Sequence, residues 1–257
     1  MGELSPGKTE SLLIQRRKAE GTLVAALIDP EDFTPEKAGS VAERAQEIGV
    51  SIILVGGSTI ANQQQLDTVV THIKHHVTIP VTLFPGNITG ISQYADAILF
   101  SSLLNSTNTY FLIGAQSIGA IQVKKYNLEA IPMGYLVFGE ASSAGFIGQV
   151  RGIPIDKPGI AVMYALAAQY LGMRSLYLEA GSGSTNSVPP QIIAAVRSQY
   201  KGLLIVGGGI IEGERAAQAA SAGADIIVIG NLLQTDDFEH KLSGIVEAAR
   251  KNSVDFR

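Results

Sequence analysis

The segment Tyr177-Leu178-Glu179-Ala180-Gly181-Ser182-Gly183 completes an apolar run that begins at Ser175. The run has the length of a buried β-strand, and it delivers one carboxylate, Glu179, before the chain turns into small residues. Two later segments repeat the pattern, from Leu203 to Gly209 and from Ile226 to Asn231. Because each apolar run opens into glycine, serine or asparagine, the sequence predicts three consecutive strands whose ends expose backbone amides.

Five further apolar runs lie upstream and complete a set of eight predicted strands. The eight runs are Leu23–Ile28, Ser51–Val55, Pro80–Phe84, Ala97–Phe100, Ala130–Val137, Ser175–Leu178, Leu203–Val206 and Asp225–Ile229. Most are continuously apolar rather than alternating, which is typical of parallel strands that are covered on both faces. Helix-like segments separate them, such as Pro35–Ile48, which has Thr34 as its cap and Gly49 as its stop.

This alternation predicts a (β/α)8 TIM barrel, in which residues 1–257 form a single domain and residues 1–20 form an N-terminal helical or capping segment. The helical pattern is least clear between Phe84 and Ala97 and between Phe100 and Ala130. A doubly wound open sheet is the alternative fold, but its glycine-rich motif would follow the first strand, where this chain has Asp29-Pro30-Glu31-Asp32. In this chain the glycine-rich segments follow the last three predicted strands instead, which predicts a phosphate site at the C-terminal ends of strands six to eight.

The composition is that of a globular protein with a large core. Of 257 residues, 46% are hydrophobic and 16% are charged, and the net charge of −4 includes no basic block, which argues against nucleic acid as a partner. The lack of cysteine excludes disulfides and thiolate metal sites. No apolar run reaches the roughly 18 residues of a membrane span, and residues 1–20 are too polar for a signal peptide. We therefore expect a cytoplasmic protein with at most peripheral membrane contact.

Residues that directly follow barrel strands converge on the C-terminal face of the barrel. The predicted strand ends contribute Asp29, Gly56-Gly57-Ser58, Gly86-Asn87, Ser101-Ser102, Glu140, Glu179 with Ser182 and Gly183, Gly207–Gly209 and Gly230-Asn231. This set has no histidine, cysteine or lysine, so neither a Schiff-base lysine nor a Ser-His-Asp triad is expected. Glycine amides at three consecutive strand ends indicate a phosphate site, although any one such turn would serve equally as a tight connection.

Four side chains at these ends are candidates for chemistry. Asp29 and Ser58 follow the first two strands and offer the hard oxygen ligands that Mg²⁺ prefers, although Asp29 could equally cap the following segment. Glu179 is ionised at neutral pH and is the best candidate for a general base. Tyr177 faces the same side of the strand as Glu179, where it either positions a substrate hydroxyl or fills the barrel interior.

Several motifs along the chain form an ordered set. They are Leu27-Ile28-Asp29-Pro30, Val55-Gly56-Gly57-Ser58-Thr59, Phe84-Pro85-Gly86-Asn87, Ile131-Pro132-Met133-Gly134-Tyr135-Leu136, Tyr177 to Gly183, Val206-Gly207-Gly208-Gly209-Ile210 and Gly230-Asn231. Each is weak alone, but together they span most of the chain and closely resemble the geranylgeranylglyceryl phosphate synthase family. Glu-Ala-Gly-Ser-Gly after Tyr177-Leu178 resembles the archaeal-type enzymes more than the bacterial relatives that use heptaprenyl diphosphate.

The resemblance implies a Mg²⁺-dependent prenyltransferase on a TIM barrel. Such an enzyme joins the C3 hydroxyl of sn-glycerol 1-phosphate to geranylgeranyl or a similar polyprenyl diphosphate through an ether bond, and it releases pyrophosphate. This is the first ether-forming step of archaeal-type membrane lipids. The resemblance further implies that Asp29 and Ser58 bind Mg²⁺, with Glu179 as the catalytic base beside Tyr177. The implied glycerol phosphate contacts are Tyr177, Leu178, Glu179, Ala180, Gly181, Ser182, Gly183, Gly208, Gly209, Gly230 and Asn231.

The segment Gly139–Pro158 is the longest irregular loop and is predicted to be a lid or part of a substrate groove. It resembles the larger subgroup of the family, whose members often form higher oligomers, so a homo-oligomer, a dimer or a hexamer, is expected. Phe146 would then be an aromatic anchor between subunits, although it could equally pack on its own barrel. Arg151 and Lys157 would meet the diphosphate or be ordinary surface charges.

Two other functions fit the same phosphate site. A phosphosugar isomerase-type barrel would pair two acid/base carboxylates or use a histidine or lysine, and it would lack a strict Mg²⁺ requirement. A non-catalytic binder of phosphorylated ligands would keep its affinity for glycerol phosphate after Glu179→Gln and would show no turnover in either form.

Overall fold

Eight parallel strands pair in sequence order and close into a barrel, because β1 pairs with both β2 and β8. The computed structural model describes residues 5–57, 62–139, 142–181, 184 and 186–255. The predicted site residues Ser58, Ser182 and Gly183 lie outside these ranges, as does Glu140. The strands are β1 Leu23–Ile28, β2 Ile52–Val55, β3 Val81–Leu83, β4 Ala97–Leu103, β5 Glu129–Val137, β6 Ser175–Glu179, β7 Leu203–Gly207 and β8 Ile226–Ile229. The predicted (β/α)8 fold is confirmed.

Helices surround the barrel, and local sequence sets several of their ends. Those of the described residues are α1 Lys8–Glu20, α2 Pro35–Ile48, α3 Gln63–His76, α4 Ala115–Lys125, α5 Ser143–Ile147, α6 Pro158–Tyr170, α7 Pro190–Gln199, α8 Gly213–Ser221 and α9 Phe238–Lys251. Thr34 caps α2 by accepting a hydrogen bond from the Lys37 amide at 3.3 Å, and Gly49 ends it at φ 112°. None of these helices combines the length and the apolar character that a bilayer-spanning helix needs.

The alternation of strands and helices is incomplete between β3 and β4. Residues 84–96 are all described, and they contain a single 3₁₀ turn, Ile88–Gly90, in place of an α-helix. The sequence Phe84-Pro85-Gly86-Asn87 opens this segment with residues that disfavour helix formation. The strict prediction of a helix after every strand is therefore wrong here, and the missing helix leaves room for a cavity beside β4.

Consecutive residues of each strand pack into two different cores. The inner core fills the barrel and includes Leu23, Ala25, Ile52, Leu54, Leu99, Met133, Tyr177, Ile205 and Val228. The outer core lies between the strands and the helices and contains the alternate strand residues, such as Leu178 and Val206. Because both faces of every strand are buried, the strands read as continuous apolar runs in the sequence.

Helix α1 is fixed to the core and to the strand ends of the barrel by buried contacts. Leu13 of this helix joins the inner core, and Arg17 is buried against Asp225, which directly precedes β8. The Arg17 Nε donates to Asp225 Oδ1 at 2.9 Å, and the Arg197 Nη1 donates to Asp225 Oδ2 at 2.8 Å. The Leu204 amide also donates to Asp225 Oδ2. One buried carboxylate therefore ties α1, α7 and β7 together at the N-terminal ends of the strands.

Candidate active site

A cavity of about 200 Å³ opens at the C-terminal ends of the strands. Its polar part is lined by Asp29, Asp32, Asn87, Ser101, Tyr135, Glu179, Gly230 and Asn231. Its apolar part is lined by Phe84, Ile91, Ile98, Phe100, Leu103, Phe111 and Ile147. Ile98 belongs to the outer core and Phe100 packs against it, so the cavity extends from the barrel mouth to the outer face of β4. Its lining therefore suits a ligand with one polar and one apolar part.

The described lining of this cavity contains carboxylates but no lysine, arginine or histidine. An anionic ligand bound here would thus need backbone amides or a metal ion to balance its charge. This charge pattern agrees with the glycine-rich strand ends in the sequence.

Glu179 is the last residue of β6, and its side chain is buried at the cavity wall. The Gly181 amide donates to Glu179 Oε1 at 2.6 Å, and the Tyr135 hydroxyl donates to Oε2 at 3.4 Å. Burial raises the pKa of Glu179 above its ordinary value of 4.5, and hydrogen bonds from Gly181, Tyr177 and Tyr135 hold this rise back. A carboxylate with a raised pKa is a stronger proton acceptor, which suits a general base.

Tyr177 lies behind Glu179 rather than in the cavity. Its side chain is only 1% exposed and belongs to the inner core, and it is absent from the cavity lining. A Cβ at Gly207 would clash with the Tyr177 hydroxyl, so the glycine there makes room for this phenol. Burial, followed by the charge of Glu179, raises the pKa of Tyr177 well above 10.0. Tyr177 therefore stays protonated and can position Glu179 through a hydrogen bond. A substrate could contact Tyr177 directly only if the side chains that bury it moved away.

Tyr135 is a site residue to which the sequence assigned no role. It stands in β5 directly beside Tyr177 in the parallel register, and its ring lines the cavity. Burial and the charge of Glu179 raise the pKa of Tyr135 well above 10.0, so its hydroxyl is a donor to Glu179 at neutral pH. The sequence could have indicated this role, because Tyr135 lies near the end of the predicted strand Ala130–Val137. Only the register between β5 and β6, however, places its side chain beside Glu179.

Asp29 directly follows β1 and lines the same cavity, where it is half-buried. Its Oδ1 accepts a hydrogen bond from the Glu31 amide at 3.0 Å. Burial raises the pKa of Asp29 above 3.8, the Glu31 amide opposes this rise, and the charges of Asp32 and Glu31 add to it. A Cβ at Gly57 would clash with the Asp29 carboxylate, so this glycine makes room for the carboxylate.

The donor set around Asp29 fits Mg²⁺. The described residues include no group of three or more histidine, cysteine, aspartate or glutamate side chains that could enclose a metal ion. Mg²⁺ commonly keeps several waters and binds through one or two carboxylates together with substrate phosphates. Asp29 supplies one such carboxylate at the cavity wall, and Ser58, outside the described residues, is the second predicted ligand.

The predicted phosphate-binding glycines adopt conformations that side chains rarely allow. Gly208 and Gly209 have φ of 85° and 68°, and a Cβ at Gly208 would meet Glu179 Oε1. The Arg215 Nη1 donates to the Gly209 carbonyl at 2.6 Å and fixes this turn. Gly230 and Asn231 lie at the cavity wall, where Asn231 begins a 3₁₀ turn. Of the described residues at these three strand ends, Glu179, Gly230 and Asn231 line the cavity, whereas Gly208 lies beside Glu179 and neither Gly208 nor Gly209 is part of the lining.

Two residues predicted to contact glycerol phosphate, Leu178 and Ala180, do not line the cavity, and the long loop lines it only in part. Leu178 is fully buried in the outer core, and Ala180 packs against that core while its amide donates to the Gly207 carbonyl. Of the described part of the loop, Ala144, Ile147 and Gly148 line the cavity. Phe146 is 88% exposed, and Arg151 and Lys157 are not part of the lining.

Known proteins share the fold and about half of the sequence of this chain. Residues 15–249 match the model of the PcrB family. The chain is 51% identical over 242 residues to the geranylgeranylglyceryl phosphate synthase of Cenarchaeum symbiosum, covering 94% of this chain and 98% of that protein. It is 50% identical to that of Thermococcus gammatolerans, covering 96% and 95%. The crystal structure of (S)-3-O-geranylgeranylglyceryl phosphate synthase from Thermoplasma acidophilum with its substrate sn-glycerol-1-phosphate superimposes with a TM-score of 0.91 at 38% identity, covering 96% and 100%.

Proposed function

Because the chain belongs to the PcrB family, with the geranylgeranylglyceryl phosphate synthases as its relatives, we propose that its cavity joins sn-glycerol 1-phosphate to geranylgeranyl diphosphate. As a member of this family the chain is an enzyme, a prenyltransferase of archaeal-type ether lipid synthesis. The observation that carries the proposal is the cavity itself, which joins the buried Glu179 and the half-buried Asp29 to an apolar groove. Formation of the ether from the two substrates is the direct test.

The polar end of the cavity would hold glycerol phosphate. The phosphate would bind to backbone amides of the turn at Gly230-Asn231, which lines the cavity, and of the turn at Gly208-Gly209, which lies beside Glu179 but outside the cavity lining. The C3 hydroxyl would then lie against Glu179, which the Gly181 amide keeps in place. Glu179 would accept the hydroxyl proton as the new C–O bond forms.

The apolar end would hold the prenyl chain, and Asp29 would hold Mg²⁺ together with Ser58. Mg²⁺ would offset the charge that develops on the departing diphosphate. Asp29 supports this assignment because it faces the cavity, and the described lining offers no cationic side chain that could do the same. Excluding water from the groove and orienting the two substrates would be the remaining contributions of the protein.

Asp29→Asn should raise the Mg²⁺ concentration needed for half-maximal activity by about tenfold or more, because even changes outside the direct ligands typically cost 10–100-fold in metal affinity. The measurement is a Mg²⁺ titration of the initial rate. Asp237→Asn, which removes an exposed carboxylate paired with Lys241, is the control and should leave the titration unchanged. An unaltered titration of Asp29→Asn would remove Asp29 from the metal site.

Tyr135→Phe should move the acidic limb of the kcat–pH profile to higher pH. Glu179 must be ionised to accept a proton, so kcat rises as the pH passes through its pKa. The Tyr135 hydroxyl lowers this pKa, and its loss should raise the pKa further above 4.5. Tyr126→Phe, which removes a hydroxyl that accepts from Gln122 on α4, is the control. A limb that stays in place or moves to lower pH would contradict the assignment of Glu179 as the base.

The proposed homo-oligomer, a dimer or a hexamer, is supported by exposed large apolar side chains. Phe146 on α5, Met163 and Tyr170 on α6 and Leu171 directly after it are each more than two-thirds exposed, and an interface between subunits would cover such groups. Light scattering should give a mass that is a multiple of 27.1 kDa. A mass of one chain across the working concentration range would contradict this.

The two alternatives from the sequence gain no support. A phosphosugar isomerase or a simple phosphate binder has no use for an apolar extension that reaches the outer face of β4. We place the enzyme in the cytoplasm, with peripheral membrane contact at most, where its charged substrates are dissolved and its product can pass to a membrane.

A further inference from the structure

Three aromatic rings form a cluster at the boundary between the polar and apolar parts of the cavity. They are Phe84, which directly follows β3, Tyr135 on β5 and Tyr177 on β6. Phe84 and Tyr135 line the cavity, whereas Tyr177 is buried behind them. The family resemblance and the proposed function assign no role to Phe84.

The backbone of Phe84 is held firmly. Its amide donates to the Val55 carbonyl at 2.8 Å, and a Cβ at Gly56 would clash with the Phe84 carbonyl. The absence of a side chain at Gly56 thus lets the end of β2 pack closely against the backbone of Phe84, and this packing fixes the position of the Phe84 Cα. A ring on such a support is preorganised before any ligand binds.

The ring of Phe84 has one face covered and one face available. It stacks on Tyr177 with centroids 5.1 Å apart and an interplanar angle of 29°. Since Tyr177 lies in the barrel core and Phe84 lines the cavity, the uncovered side of Phe84 is the side that a ligand meets. Tyr135 meets Phe84 nearly perpendicularly at 5.5 Å and donates its hydroxyl to Glu179. Tyr135 therefore connects the ring of Phe84 to the carboxylate that would accept the proton.

The chemistry of the reaction places positive charge at this point. The bond between C1 of the allylic chain and the diphosphate oxygen breaks, and the diphosphate leaves with the electron pair. The C3 hydroxyl oxygen of glycerol phosphate forms the new bond to C1, and its proton passes to Glu179. While the old bond breaks, positive charge spreads over the allylic carbons, which must lie close to the hydroxyl and thus to Glu179. Aromatic ring faces attract such charge through their quadrupole.

We propose that Phe84 presents its free ring face to the allylic carbon of the prenyl diphosphate and stabilises the positive charge that develops there. Phe84 is then a catalytic residue of the proposed transfer reaction, and this inference rests on that function. Tyr177 stacks behind Phe84 and keeps the ring in place, and Tyr135 closes the side next to Glu179. Phe84, which contacts the apolar prenyl chain, would therefore also lower the activation barrier of the transfer.

Site-specific replacement of Phe84 by mono-, di- and trifluorophenylalanine tests this role in the full-length enzyme. Fluorine withdraws electron density from the ring face while it changes the shape of the side chain little. We expect kcat to fall stepwise with each fluorine, by about threefold to thirtyfold in total, which is the range of a single cation–π contact. The KM values of both substrates should stay within about twofold, because the ground-state contact is apolar and is retained.

The control is the same fluorinated series at Phe138. The amide of Phe138 donates to the Glu179 carbonyl, but its side chain is buried in the outer core and does not line the cavity. That series should leave kcat unchanged. A flat kcat across the Phe84 series, in an enzyme whose unmodified form makes the ether, would overturn the inference and show that the ring only packs. An unmodified enzyme that makes no ether would instead overturn the proposed function, so the two failures are distinguishable.

Discussion

Replacing Glu179 with glutamine should lower kcat by about a hundredfold or more, while sn-glycerol 1-phosphate binds almost as tightly as before, because general bases typically contribute that much to the rate. Glutamine keeps the size of the side chain and can still accept the hydrogen bond that the Gly181 amide donates to Oε1. It cannot take up a proton. The loss should therefore fall on the chemical step and spare ground-state binding.

Steady-state kinetics give kcat, and calorimetric titration gives the dissociation constant of glycerol phosphate. Glu239→Gln is a matched control, because it removes an exposed carboxylate that pairs with Arg44, and neither residue lines the cavity. Unchanged turnover in Glu179→Gln would remove Glu179 from the role of base. An equal loss of binding and turnover would instead make Glu179 a residue that holds the substrate.

Asp225→Ala should lower the free energy of unfolding by about 3–5 kcal/mol, the usual cost of removing one partner of a buried ion pair. Asp225 accepts hydrogen bonds from Arg17, Arg197 and the Leu204 amide, and its side chain is 2% exposed. Its loss would leave two guanidinium groups buried without their carboxylate. For a chain of this size, we expect the midpoint of thermal unfolding to fall by about 6–20 °C.

The exposed Arg44–Glu239 pair supplies the matched comparison for Asp225. Both side chains of this pair are about half exposed, so Glu239→Ala should cost at most about 1 kcal/mol. Chemical denaturation gives the free energies, and the rate per folded molecule should be unchanged in Asp225→Ala because Asp225 lies at the far end of the strands from the cavity. A loss below about 1 kcal/mol for Asp225→Ala would contradict the structural role assigned to the network.

The barrel was predictable because its physical signal is local. A strand buried on both faces gives a continuous apolar run, and all eight runs correspond to strands with ends shifted by a few residues. The helical pattern was weak between Phe84 and Ala97, where the helix is absent, although the fold prediction still assumed a helix after every strand. The capping of α2 by Thr34 followed the same local rules.

The parts that sequence could not supply depend on contacts across strands. Only the register of β5 against β6 brings Tyr135 beside Tyr177 and its hydroxyl to Glu179. The raised pKa of Glu179 results from burial, which no spacing in the sequence reports. Asp225 was read only as the first residue of a strand, yet it joins three elements.

The most direct test of the proposed function is a transfer assay with labelled sn-glycerol 1-phosphate, Mg²⁺ and prenyl diphosphates from farnesyl to heptaprenyl diphosphate. We predict a labelled product that moves into the organic phase with geranylgeranyl diphosphate as donor and that is abolished by EDTA. The absence of such a product with every donor, while glycerol phosphate still binds, would contradict the assignment.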